Sequence, residues 1–157
     1  MESLQQTIDA AWDARSTLTP STAEPAIRDA VARVIGELDA GRLRVAEKRD
    51  GAWLTHQWIK KAVLLSFRLA DNAATGVAGP ETPFRFYDKV STKFASFDAE
   101  AFAAAGVRVV PPAVARYGAY LSRGVVLIEL VAQGSRSLWR WIENYHRKKR
   151  QPIGSMA

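Results

Sequence analysis

The chain has 157 residues, 48% of them hydrophobic and 24% charged, with a formal net charge of +6. That length holds one modest core with an appendage, and the absence of cysteine excludes disulfides and thiolate metal sites. No apolar run approaches the length of a membrane span, and acids at Glu2 and Asp9 occupy the region where a secretory leader would be apolar, so a cytoplasmic protein is expected.

Leu4, Ile8 and Trp12 recur at a spacing of four and predict a first helix over Leu4–Arg15. Thr19-Pro20 opens a loop rich in Ser, Thr and Pro. A second helix is predicted from Pro25, whose missing N–H has no partner in a first turn anyway. Ile27, Val31, Val34, Ile35 and Leu38 form its apolar stripe, and Gly41 is its expected left-handed cap. Leu43 and Val45 alternate with polar neighbours as in a half-buried strand, and Asp50-Gly51 is a hairpin turn dipeptide. Thr55 is the expected cap of a third helix with Trp58, Ala62, Leu65 and Leu69 on its apolar face.

Residues 71–83 carry two Gly and two Pro and are expected to form a flexible loop. Phe84, Phe86 and Tyr87 begin an aromatic extended segment. Asp98 is placed to cap a short alanine-rich helix ended by Gly106, and Val107, Val109 and Val110 form an extended run stopped by Pro111-Pro112. Beyond it, Gly118 and Gly124 lie six residues apart, as do Val114, Tyr120 and Val126. A period of six suits a solenoid coil whose flat faces each take one hexapeptide.

From Ile128 the composition shifts. Six basic residues (Arg136, Arg140, Arg147, Lys148, Lys149 and Arg150) meet two acids (Glu129 and Glu143), so this end carries most of the net charge. Leu130, Leu138, Trp141, Ile142 and Tyr145 fall roughly on one face, which predicts a basic helical tail. Electrostatic attachment to nucleic acid, insertion at an anionic membrane surface and simple packing against the coil are all open readings of it.

Spacing alone shows no catalytic constellation: no phosphate loop, no His–Cys cluster and no nucleophile motif. His56 is read as a helix-start residue making a local hydrogen bond, with a general base as the alternative, and His146 as a solvated member of the tail. Trp53, Trp58, Phe67 and Phe84–Tyr87 are expected in the core, and Lys60-Lys61 on a solvated helix face.

Four ordered segments carry a family resemblance: RVAEK at Arg44–Lys48, THQWIKKAVLLSFR at Thr55–Arg68, YDKV at Tyr87–Val90 with KFA at Lys93–Ala95, and RVVPPAVARYGAYLSRGVVL at Arg108–Leu127. From about Leu4 to about Leu127 the chain resembles the N-terminal domain of tetrahydrodipicolinate N-succinyltransferases, acyltransferases of bacterial lysine and diaminopimelate biosynthesis. The resemblance implies a mainly α fold with a small β component: a helical domain over 1–112, a partial left-handed β-helix coil over 113–127, and an unmatched basic tail over 128–157.

The resemblance also implies succinyl transfer from succinyl-CoA to a small dicarboxylic substrate, in a homotrimer with active sites between subunits. Arg108 would hold a substrate carboxylate, for which a guanidinium is suited because it can form two parallel hydrogen bonds. Without the resemblance, Arg108 reads as one half of a structural ion pair. The family's acid–base carboxylates and acyl-CoA groove lie in hexapeptide repeats past Leu127, which have no counterpart here. No catalytic role therefore passes to Glu129 or Glu143, no cofactor is expected on this chain, and it is expected to be inactive alone. The alternative is a truncated or fused product that binds an intact trimer as a mixed oligomer, or nucleic acid or an anionic membrane through its tail.

Overall fold

The computed structural model describes residues 1–75 and 85–128, so the expected basic tail lies outside the described residues. Three helices form the core: α1 (Glu2–Asp13), α2 (Pro25–Asp39) and α3 (Gln57–Ser66). Ile8, Val34, Ile59 and Leu65 are fully buried where they meet, and each contributes roughly 1.5–3 kcal/mol through removal from water. The first helix starts and ends two residues earlier than its pattern predicts. On α3 the inner face is Ile59, Ala62 and Leu65, with Trp58 and Leu69 half-buried beside it.

Helix α2 ends as its glycine predicts. Gly41 has φ of 73°, Arg42 N–H donates to Glu37 C=O at 2.9 Å and Gly41 N–H to Leu38 C=O at 3.0 Å. These two bonds are the Schellman closure of a left-handed cap. Leu43 and Val45 then turn into the core margin and are not part of the paired strand, which begins at Ala46. Strand β1 (Ala46–Arg49) pairs antiparallel with β2 (Ala52–Thr55). Asp50 and Gly51 both take positive φ, 49° and 83°, as a two-residue hairpin loop requires.

Three sequence expectations are corrected here. Thr55 ends β2, opposite Ala46, and the cap residue of α3 is His56, which makes no side-chain capping bond. Trp53 is 72% and Tyr87 74% exposed; each sits on a two-stranded ribbon, and neither aromatic joins the core of the described residues. Ala73–Thr75 is not loop but strand β3, antiparallel to β4 (Phe86–Asp88). Residues 76–84, which include Phe84, lie outside the described residues.

Helix α4 (Ala99–Ala105) is capped by Asp98, whose Oδ1 accepts from Ala101 N–H at 2.8 Å, and closes on Gly106 in the left-handed conformation. Phe94, Phe97 and Phe102 form an aromatic triad with centroids 5.1–5.2 Å apart, a satellite cluster under this helix. Strand β5 (Arg108–Val110) then pairs in parallel with β6 (Val126–Ile128). Arg108 faces Val126, eighteen residues on, an interval of three hexapeptides. The six-residue spacing at 113–127 thus belongs to a turn of chain that starts at β5.

This turn is fastened to the helices. Asp39, the last residue of α2, accepts at Oδ1 from Lys93 Nζ at 2.7 Å and from Gly118 N–H at 2.8 Å. Lys93 N–H donates to Ala115 C=O and Tyr117 N–H to Ser91 C=O, at 2.8 and 2.9 Å. The Tyr120 ring lies directly over Gly41, leaving no room for a Cβ there.

Asp39→Ala leaves a largely buried ammonium and an amide without their shared acceptor, and should lower stability by about 1–3 kcal/mol in urea unfolding, with Asn recovering part of the loss through Gly118. Gly41→Ala should cost a similar amount, on the order of 1–3 kcal/mol, because positive φ and the tyrosine ring both oppose the added methyl; an unchanged melting temperature would contradict the observed packing.

Candidate functional site

Arg108 enters β5 two residues after the left-handed turn at Gly106, so the end of α4 sets its position. Its N–H donates to Val125 C=O at 3.0 Å, and Gly124 N–H donates to Gly106 C=O at 2.8 Å. Arg123 Nη1 donates to Ala104 C=O at 2.8 Å, satisfying a helix-end carbonyl that the helix itself leaves open. The backbone of Arg108 is therefore fixed from both sides while its side chain is exposed. No carboxylate among the described residues forms an ion pair with it.

His56 stands at the start of α3 as expected, but its side-chain bond reaches back to the hairpin instead of being local. Its Nε2 lies 2.8 Å from Glu47 Oε1, and its N–H donates to Val45 C=O at 2.8 Å. Arg49 Nη2 lies 2.7 Å from the same Glu47 oxygen. Glu47 is held below the ordinary carboxylate value of 4.5, chiefly by the hydrogen bond from His56 and, against partial desolvation, by the charge of Arg49. The three side chains pin the hairpin to the start of α3, beside a cavity of about 310 Å³ that His56, Glu47 and Arg44 help to line.

Lys60 is exposed as expected. Lys61 is instead half-buried, with Nζ 2.5 Å from Asp9 Oδ1, and ties α3 to α1. A second cavity, about 290 Å³ and mostly apolar, lies between α2, α3 and the turn at Arg116–Gly118. On its rim Arg116 pairs with Asp88 at 2.8 Å. Sequence reasoning did not foresee Asp39, Lys93 or Arg116 as partners across the junction. Their pairings span up to 79 residues, as from Asp39 to Gly118, and leave no local pattern.

Among the described residues no group of three His, Asp or Glu side chains is placed to hold a metal ion, and no helix is long and apolar enough to cross a membrane. The structure therefore presents a helical module with one exposed, backbone-anchored arginine where a parallel strand pair begins.

Residues 3–69 match the family model described as tetrahydrodipicolinate N-succinyltransferase N-terminal. The protein named 2,3,4,5-tetrahydropyridine-2,6-dicarboxylate N-succinyltransferase in Bordetella avium is 58% identical over 125 residues, which is 80% of this chain and 44% of that protein. Proteins of the same name in Ralstonia pickettii and Burkholderia mallei are 57% and 58% identical over 127 residues, 81% of this chain and 45% of theirs. Over this region the chain is similar to the N-terminal part of proteins named tetrahydropyridine-dicarboxylate N-succinyltransferase, and it spans a little under half the length of these relatives.

The sign of the Glu47 effect is testable. A carboxyl whose folded value is depressed stabilises the fold above its unfolded value, and that contribution is lost as pH falls through the folded one. Wild type should therefore melt above Glu47→Gln at neutral pH, and the two curves should converge as pH falls from about 7 to about 3; a gap that widens on acidification would reverse the assignment.

Proposed function

We propose that this chain is the substrate-side module of a tetrahydrodipicolinate N-succinyltransferase and that Arg108 grips one carboxylate of the dicarboxylic substrate. The observation that carries the reading is the state of that arginine. It is exposed, unengaged by any carboxylate of the described residues, and held by its backbone at the first rung of a parallel pair. A guanidinium presented in this way has its paired donors available for an incoming planar anion. The eighteen-residue offset supports reading the Arg108–Ile128 turn as the first coil of a left-handed β-helix. In that arrangement the turn carries substrate contacts from the helical module to the solenoid.

Succinyl transfer itself would join the substrate amine to the succinyl carbonyl and release the CoA thiol. It requires reacting groups in near-attack geometry. The carboxylates and thioester groove that supply this in the family sit in hexapeptide repeats, a pattern not found past Leu127. The chain by itself is accordingly proposed to be silent in a succinyl-CoA thiol-release assay, and to act through assembly with solenoid-bearing copies.

In a full-length relative, Lys at the position of Arg108 should raise KM for the dicarboxylic substrate by more than about tenfold, because one ammonium replaces a two-bond grip. KM for succinyl-CoA should change little. An unchanged KM for the dicarboxylate would remove Arg108 from the site. Thiol release from this chain alone would overturn the proposed dependence on the scaffold.

A further inference from the structure

A further cavity among the described residues lies away from Arg108 and from the strand pair. It is an open cleft of about 570 Å³ between the end of α1, the Leu18–Pro20 loop and the end of α3. Three cations line it, Arg15, Arg68 and Lys89, together with the aromatic rings of Trp12 and Phe67, and no carboxylate of the described residues does. The acids nearest in sequence, Asp13 and Asp71, are not part of its wall, and Asp88 is engaged by Arg116 at 2.8 Å. Three like charges in one concavity repel, and a bound anion relieves that repulsion in a setting that focuses the field.

Arg15 and Lys89 are positioned by contacts within the fold. The Arg15 guanidinium lies 4.6 Å from the centroid of the Trp12 ring, and its Nη1 donates to Trp12 C=O at 2.8 Å. Lys89 Nζ donates to Phe67 C=O at 3.0 Å. Each contact uses one donor of five or three and leaves the others for a ligand. The rim is also tied down. Thr22 Oγ1 donates to Thr17 C=O at 2.8 Å and meets Thr19 Oγ1 at 2.9 Å. Arg28, which is not part of the lining, donates to the carbonyls of Pro20, Ala23 and Leu69 and so holds the loop at Pro20.

We propose that this cleft binds an organic phosphate, with Arg15, Arg68 and Lys89 around the phosphate oxygens and a planar ring laid against the Trp12–Arg15 stack. Cations arriving from α1, α3 and the β4 end suit the several terminal oxygens of a phosphate, whereas a single carboxylate is satisfied by one arginine. The guanidinium stacked on an indole offers a flat surface that accepts an aromatic ring. The site shares no residue with the Arg108 assignment and stands independently of it.

The test is calorimetric titration of the full chain with ADP, with pyrophosphate and adenosine as separated halves of the ligand. ADP should bind with Kd on the order of 0.1 mM at low salt, more tightly than either half, and more weakly as salt rises. The double variant Arg68→Gln, Lys89→Gln should weaken ADP about tenfold or more, while Lys148→Gln, Lys149→Gln, Arg150→Gln in the basic tail should leave the affinity unchanged. A wild-type nitrogen–proton spectrum needs no variant: ADP should shift the Trp12 indole N–H. No binding at about 10 mM ADP, affinity lost only in the tail variant, or shifts confined to residues 138–150 would each overturn the proposal.

Discussion

One carboxylate joins the two halves of this structure. Asp39 closes α2 and accepts from both the Lys93 ammonium and the Gly118 amide. The side chains are largely removed from water, 11% exposed for Lys93 and 22% for Asp39. A half-buried pair of this kind adds little if its charges are merely adjacent, but leaves an expensive orphan if one partner is removed. The second bond to Gly118 is what makes the arrangement directional. It brings the 116–118 backbone onto the end of α2, and the contacts of Lys93 with Ala115 and of Tyr117 with Ser91 follow from it. The course of the chain from there back to β6 starts from that junction.

The elements legible in the sequence were those governed by local rules. The α2 stripe, the Gly41 cap, the Asp50-Gly51 hairpin turn, the Asp98 cap and the Gly106 stop all appear as their residue types dictate. Each depends on a backbone preference or on a bond spanning a few residues. What the pattern missed was decided by distant partners. Trp53 carries the same aromatic signal as a core residue, but no layer of the described residues covers its ribbon. Lys61 looks solvated until α1 places Asp9 beside it. Ala73–Thr75 becomes a strand only because Phe86–Asp88 returns alongside.

The candidate site divides the same way. Arg108 was found through the resemblance of a whole segment, and its lack of an ionic partner among the described residues could not be read from spacing. Conversely, His56 was correctly taken as a local helix-start residue, yet its tie to Glu47 links the hairpin to α3 across nine positions. The anion cleft had no sequence signature at all, since its cations come from three separate segments at positions 15, 68 and 89.

The parallel rung between Arg108 and Val126 also constrains how this segment can vary. Side chains in a strand alternate, so slipping the chain by one residue between the two strands would turn Val126 and Ile128 to the opposite face. Length changes in the intervening stretch are therefore not graded. They must either bulge outward at a corner and rejoin in phase, or arrive as a whole extra lap. Genetic drift in this region should be written as substitutions and corner excursions, with the count between the two rungs conserved like the pitch of a screw thread.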